Sequence, residues 1–435
     1  MAASRLTRRQ LFNYALPALP LAIPTVGLYV LLPTWYVEQG GLALWLVGVI
    51  LMLARLSDLI TDPLIGYWLD RGGSKRYRSF MLVGALLCLP GLGLLVLPPA
   101  GYPAPALLAG SMLLYLGWTL VQVPYLSWLA GLSADSHERT RAASAREGFG
   151  LIGLLLSAIL PAAGLMLALN TQQVLWLIAG FTLLPGGWAL WRLLRQVELP
   201  AATNHAASVS DWRGLWRNRP ARMLLQSWFW NGIANGVPAV LFPLYVTTVL
   251  GGSESDRGVL ILIYFGAAVL SLPLWLVLSR RFDKIDLWRL AMLFAIAAFL
   301  PAIGLGEGDL HAFMLICALT GFALGADLAL PHALQAEVCD WDRFRHGRQR
   351  RGLLFACWNG ANKLALALAA LLGFGLLNLA QGLLSEQSAV LVLALLYAGV
   401  PSMMKLVAIW RLRAYPLRQS LHFKLAQRID KRSES

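Results

Sequence analysis

The stretch Ala54-Arg55-Leu56-Ser57-Asp58-Leu59-Ile60-Thr61-Asp62-Pro63 places two carboxylates one helical turn apart inside the apolar run from Gly41 to Trp68. That run is long enough and apolar enough to cross a bilayer as a helix. A spacing of i, i+4 puts Asp58 and Asp62 on one face of it. An unpaired charge at bilayer depth costs at least about 2.5–3.5 kcal/mol on insertion scales, so acids inside a span are functional candidates by default. A small cation that visits both carboxylates removes that cost, and the pair is expected to be a transporter's coupling site. Two close carboxylates can instead share one proton and titrate together, so sodium and proton both stay open. A third reading is an internal ion pair of Arg55 with Asp58 that is silent in transport.

Outward from this stretch the character of the chain does not change. Of 435 residues, 58% are hydrophobic and 13% charged, against roughly 25% charged in a soluble domain. Apolar runs at 11–34, 41–68, 78–98, 104–131, 143–169, 173–195, 222–250, 257–279, 287–305, 310–336, 351–379 and 387–413 give twelve expected spans. The expected fold class is therefore an all-α membrane protein with twelve transmembrane helices.

The net charge of +14 does not point to nucleic acid, because basic residues fill alternate connections. They include Arg5, Arg8 and Arg9, then Arg71, Lys75, Arg76 and Arg78, then Arg139 and Arg141, then Arg213, Arg217, Arg219 and Arg222. Arg280, Arg281 and Lys284 continue the pattern, followed by Arg343, Arg345, Arg348, Arg350, Arg351 and the tail. The opposite connections hold Glu38, Glu254, Asp256, Glu307, Asp309 and Glu386, with Arg257 their only basic residue. This asymmetry places both termini in the cytoplasm, as expected of a multi-pass protein of a bacterial plasma (inner) membrane. Thr7-Arg8-Arg9-Gln10-Leu11-Phe12 superficially resembles a twin-arginine export signal, but the apolar run behind it is too long. It is read as the positive flank of the first span. Cys88, Cys317, Cys339 and Cys357 lack metal-type spacing and are read as packing residues.

The chain halves around 196–221, a polar linker containing Pro200, His205 and Ser208. The expected organisation is a six-helix bundle at 1–195, the linker, a second bundle at 222–413 and a basic tail at 414–435. Pro63 and Arg71 recur as Pro273 and Arg281, each 210 residues later; Pro124 and Asp135 recur as Pro331 and Asp342, each 207 later. Two pseudo-symmetric six-span repeats describe the major facilitator fold, with substrate at the midplane. The connection Gly66-Tyr67-Trp68-Leu69-Asp70-Arg71-Gly72-Gly73-Ser74-Lys75-Arg76 resembles that superfamily's G-x-x-x-D-R-x-G-x-x-R signature. Asp70 is expected to pair with basic groups of neighbouring cytoplasmic loops, and with Arg71 to latch an inner gate. The plain alternative is a basic loop that sets topology.

Several motifs together resemble the glycoside–pentoside–hexuronide:cation symporters, the melibiose-permease-like branch. Arg55-x-x-Asp58-x-x-Thr61-Asp62-Pro63 is similar to the family's R-x-x-D-x-x-N/T-D-P element, whose acids bind the coupling cation. Thr119 falls where the family places a hydroxyl on that cation. Asp135, Glu138, Arg139, Thr140, Arg141 and Arg146 resemble its D-x-x-E-R-T…R stretch. Ala336 to Asp342 with Asp340, followed by Arg350-Arg351-Gly352, resembles its A-D-x-x-D-Y-x-E…R-R-E-G block, and Lys363 matches a lysine of span 11. The resemblance implies Asp58, Asp62, Thr61 and Thr119 on sodium or proton. It also implies substrate contacts near Gln122, Arg146, Lys363 and Asp327, and gating by Asp70, Arg71, Asp135, Glu138, Arg139 and Asp340. Ala22, Gln122 and Leu126 stand where sugar-transporting relatives carry an acid, a second acid and an aromatic ring. Charge-assisted bonds to sugar hydroxyls are lost with those acids. Ordinary membership implies a glycoside or sugar acid, and the altered positions imply an amphipathic anion such as a lysolipid. A membrane-embedded enzyme is the contrasting class, although no nucleophile elbow, phosphate loop or metal motif is present in the sequence. No cofactor beyond the coupling ion is expected, and the partners are a small-molecule substrate and the bilayer, with the protein acting as a monomer.

The remaining polar residues have bland readings beside sharp ones. Lys363 lies about 18 Å into its span at 1.5 Å per residue, placed to pair with a substrate anion, with Asp327 or with the span 2 acids. Lys405, near a span end, is expected to snorkel. Arg146 either contacts substrate or caps an inner cavity. His332 is read as a packing histidine rather than a proton relay. Asn231 and Asn235 share one helix face and Asn359 and Asn362 neighbour Lys363; they either line a cavity or join helices. Gly321 and Gly325 are spaced for close helix packing, and Trp35, Trp68 and Trp212 for interfacial anchoring. Trp228, Trp230 and Tyr245 either line a lipid-like cavity or pack. Leu417, Leu421, Leu425 and Ile429 make the tail either an amphipathic surface helix or a solvated segment.

Overall fold

The computed structural model describes residues 5–25, 27–133, 135–200, 217–346, 350–383 and 386–418. Among these, helices make up all the regular structure. The expected first span is broken into Arg8–Ala15 (α1), Ala18–Ala22 (α2), a π-helical turn at Gly27–Leu31 and Leu32–Glu38 (α3). Pro17, Pro20, Pro24 and Pro33 explain the breaks. Each removes a backbone donor and crowds the preceding turn.

The acid-bearing stretch lies in one unbroken 28-residue helix, Leu44–Arg71 (α4). Gly73–Val96 (α5), Pro103–Leu132 (α6), Ser136–Met166 (α7) and Thr171–Gln196 (α8) follow. Then come Arg219–Leu244 (α9), Glu254–Arg281 (α10), Lys284–Phe299 (α11), Leu310–His346 (α12), Arg351–Leu383 (α13), Glu386–Ala394 (α14) and Val400–Leu412 (α15). Among the described residues, ten helical segments are long and apolar enough to cross a membrane by length and composition, against twelve expected spans. The two outside that set are the proline-broken first span and α4, which carries Arg55, Asp58 and Asp62.

Local sequence starts several helices. Thr7 with Gln10, Asn170 with Gln173 and Ser253 with Asp256 form reciprocal capping boxes that satisfy the first orphan N–H groups. The matched prolines also occupy matched places. Pro63 and Pro273 each follow their helix's first residue, Leu44 or Glu254, by 19 positions. Pro124 and Pro331 follow Pro103 and Leu310 by 21.

The chain forms two compact units, Met1–Ser208 with Arg345–Cys357, and Val209–Phe344 with Trp358–Ser435. The first residues of α13 thus group with the first unit, although the sequence assigned them to the second bundle. Leu32, Trp35, Tyr36, Val47, Leu92 and Leu114 belong to the first unit's apolar core. Trp35 is buried there against Tyr36, so it packs rather than anchoring at an interface. Leu241, Tyr245, Val246, Leu260, Phe313 and Tyr397 core the second unit. Tyr245 donates to the Ala302 carbonyl and stacks on Tyr397, which makes it a packing residue. Most of the linker, with Trp212 and Arg213, lies outside the described residues, as do Arg348 and the tail beyond residue 418.

Candidate functional site

In the first unit, α4 and α6 bring three of the expected cation ligands together. Asp62 is fully buried and Asp58 is 7% exposed, one turn apart on α4. From α6 the Thr119 hydroxyl, itself 1% exposed, donates to Asp62 Oδ1 at 2.7 Å. The Thr61 hydroxyl oxygen is buried and makes no hydrogen bond among the described residues. Carboxylate and hydroxyl oxygens are the ligands a small hard cation prefers, and the same carboxylates can hold a proton. Among the described residues, no three His, Cys, Asp or Glu side chains cluster as a metal group.

Asp70, a gating residue of the sequence reading, lies at the C-terminal end of α4. Asp70 is buried, and its carboxylate accepts the backbone N–H groups of Gly352 and Leu353 at 2.7 and 2.8 Å. Those donors are orphans of the first turn of α13, and a carboxylate there also meets the positive end of the helix dipole. Gly66 and Gly352 make the approach possible. A Cβ on either would lie 2.5 Å from the other's carbonyl oxygen. Arg71 is exposed, with its guanidinium 4.3 Å from the Tyr67 ring centroid.

The neighbouring loop is equally specific. Asp135 accepts the His137 N–H at 2.8 Å at the start of α7. Glu138 is buried and accepts from the Leu6 N–H at 3.1 Å and from Arg141 at 3.0 Å. Arg139, also buried, donates to the Ser133 carbonyl at 2.6 Å. Asp340 is buried on α12 of the second unit.

The expected substrate residues separate into distinct settings. Arg146 is buried on α7 and pairs with its neighbour Glu147, a carboxylate the sequence reading passed over. Its guanidinium lies 6.0 Å from the ring centroid of Tyr125. Tyr125 and Tyr14 donate to each other's backbone carbonyls at 2.6 and 3.4 Å, stitching α1 to α6. Gln122 is half-buried on α6 and Leu126 buried.

In the second unit, Asp327 belongs to a network the sequence did not reveal. Its Oδ1 accepts from the Trp288 indole at 2.6 Å, and its Oδ2 from Asn235 at 3.2 Å and Lys405 at 3.1 Å. Lys405 also donates to the Asn231 and Asn235 carbonyl oxygens at 2.7 and 2.9 Å. Lys405 does not snorkel. It is buried, because three acceptors on α9 and α12 take its three N–H donors. The cationic partner of Asp327 that the sequence reading sought in Lys363 is found here in Lys405. Lys363 itself is half-buried on α13. The available signal was the pair Asn231 and Asn235, two amides on one face of an otherwise apolar span. Gly321 and Gly325 pack α12 on α10, against Tyr264 and Ser271.

Long apolar helices with buried acids and cations define a helical membrane transporter. The MFS/sugar transport protein family model matches residues 13–419. The chain belongs to that family. It is 20% identical over 423 residues to the symporter YjmB of Bacillus subtilis, covering 92% of this chain and 90% of that one. It is 21% identical over 419 residues to a glucuronide carrier protein homolog of Escherichia coli, covering 92% and 91%. In fold it is similar to a bacterial homologue of the iron transporter ferroportin in its outward-facing state, with TM-score 0.70, 16% identity and coverage of 93% and 98%. Relatives and fold are those of transporters, not enzymes, and they agree with the symporter resemblance read from the motifs.

Proposed function

We propose that the protein is a cation-coupled symporter that moves a glycoside or sugar acid by alternating access, with sodium or proton as the driving ion. The observation that carries this reading is the buried contact of Thr119 with Asp62 on the face that also bears Asp58. Charge held this deep is costly, and a cation that arrives with substrate and visits both carboxylates lowers that cost. Asp58, Asp62, Thr61 and Thr119 hold the cation. The substrate residues of this reading are Gln122 and Arg146 in the first unit and Lys363 and Asp327 in the second; its gating residues are Asp70, Arg71, Asp135, Glu138 and Arg139 in the first and Asp340 in the second. Kinship to proteins named as symporters, one of them a glucuronide carrier homolog, supports both the coupling and the sugar-acid class.

The test is uptake of labelled sugars and sugar acids into proteoliposomes under an imposed sodium or pH gradient. Wild-type protein accumulates solute uphill, and Asp62→Asn leaves only downhill equilibration. Unchanged uphill uptake by Asp62→Asn sinks the cation assignment. A second reading, an amphipathic anion such as a lysolipid, is favoured by Ala22 and the buried Leu126, which replace the acid and ring that grip a simple glycoside.

A further inference from the structure

The second unit holds three buried hydrogen-bond donors that meet no acceptor among the described residues. Gly232 and Gly236 let α9 lie close against α13. A Cβ at Gly232 would stand 2.8 Å from that of Ala365, and one at Gly236 2.6 Å from that of Ala369. Toward the start of both helices, Trp228 and Trp358 meet face to face, with centroids 4.4 Å apart and planes 12° from parallel. His332 of α12 stands edgewise to both rings, at 5.4 and 5.9 Å. Asn231 follows Trp228 by three residues and so shares its face. Trp228 is 9% exposed, Trp358 1% and Asn231 not at all.

Neither indole N–H, nor the amide N–H group of Asn231, makes a hydrogen bond among the described residues. The orientation of Asn231 is chemically fixed. Its Oδ1 lies 2.7 Å from Lys405 Nζ, and an ammonium can only donate, so Nδ2 is the end left over. All three unsatisfied groups are donors and none is an acceptor. The partner that completes them must therefore bring acceptor oxygens. The two indoles spend their faces on each other, which leaves their N–H edges, not a stacking platform for a sugar ring. Lys405 and Asp327 neutralise each other nearby, so the unit has no spare carboxylate in that network to repel an anion.

From this geometry we infer that Trp228, Asn231 and Trp358 form an oxyanion subsite, which takes a carboxylate, sulfonate or phosphate of the transported solute. Hydrogen bonds to an ionised acceptor are roughly twice as strong as neutral ones, so a donor-only subsite selects the charged solute over its neutral isostere. The inference rests on the transport reading above and narrows its substrate class.

The experiment measures binding to the full-length protein in nanodiscs, and sodium- or proton-driven uptake in proteoliposomes. The probes are methyl glucuronide, methyl glucoside and lysophosphatidylglycerol. Wild type binds one of the two anions at least tenfold more tightly than methyl glucoside, and which anion wins separates sugar acid from anionic lipid. The paired variant Trp228→Phe/Trp358→Phe keeps the ring stack and removes both N–H groups. It loses at least tenfold in affinity for that anion while methyl glucoside binding and the response of thermal stability to sodium or pH stay unchanged. Asn231→Asp keeps the acceptor for Lys405, exchanges the donors for a second acceptor and shows a similar loss. Equal affinity of wild type for glucuronide, glucoside and lysolipid, or undiminished anion affinity in the Phe pair, overturns the subsite. Uphill uptake of methyl glucoside alone overturns it too, yet leaves the transport reading standing. Selective anion binding without uphill uptake on any gradient does the reverse.

Discussion

Thr119 and Lys405 are single side chains whose removal separates electrostatics from packing. The Thr119 hydroxyl bonds a buried carboxylate, and such charged hydrogen bonds are worth about 1.5–3 kcal/mol. Thr119→Ala should weaken cation activation of uptake roughly 10–100-fold by that energy, while Thr119→Ser retains most of it; a sodium or proton titration of transport rate distinguishes them. At Lys405 the opposite logic applies. Truncating one partner of a buried ion pair strands the other at a cost of about 3–5 kcal/mol, whereas replacing both partners by apolar groups is often neutral. Lys405→Met and Asp327→Leu should therefore each lower the melting temperature, and the double variant should recover much of the loss. Additive losses would show that the contact is incidental. At this scale the acids and Thr119 were legible because i, i+4 spacing and a motif fix them locally. Lys405 was not. Distance from a span end treats a helix as if it stood alone, and the acceptors of Lys405 lie on α9 and α12, far away in sequence.

Helix ends and helix breaks form the next scale. Asp70 caps the first turn of α13 through two backbone N–H groups, and loss of such a cap costs about 0.5–2 kcal/mol. Asp70→Ala should speed hydrogen exchange of the amides at the start of α13 roughly 2–30-fold, with Asp70→Asn in between. Unaltered exchange would mean that the contact stabilises nothing. Gly352→Ala should separate α4 from α13, because its Cβ would meet the Gly66 carbonyl, a main-chain atom that cannot swing aside. The expected readout is lost transport in a protein that still reaches the membrane. The sequence pointed to Asp70 by its signature and to side-chain cations as its partners. The backbone partners were invisible, since an orphan N–H belongs to any residue type. The broken first span was written in Pro17, Pro20, Pro24 and Pro33, but a hydropathy average runs across prolines without registering them.

For the whole molecule, charge placement makes the claim most open to test. Both termini are expected in the cytoplasm, so a fluorescent protein fused after Ser435 should light up and a periplasm-dependent phosphatase fused there should stay silent. The reverse would overturn the topology. Hydropathy alone conveyed a helical membrane protein, because apolar length is a property of each segment taken singly. The grouping of Arg345–Cys357 with the first unit was out of its reach, since order along the chain does not encode which helix start meets which helix end. The grip of Asp70 on main-chain hydrogens also has a genetic consequence. Every amino acid except proline presents the same N–H at position 353, so side-chain changes there cannot abolish the contact or create a charge-swapped revertant. Second-site changes that restore this cap should accordingly concentrate where backbones crowd, at the neighbours of Gly66 and Gly352.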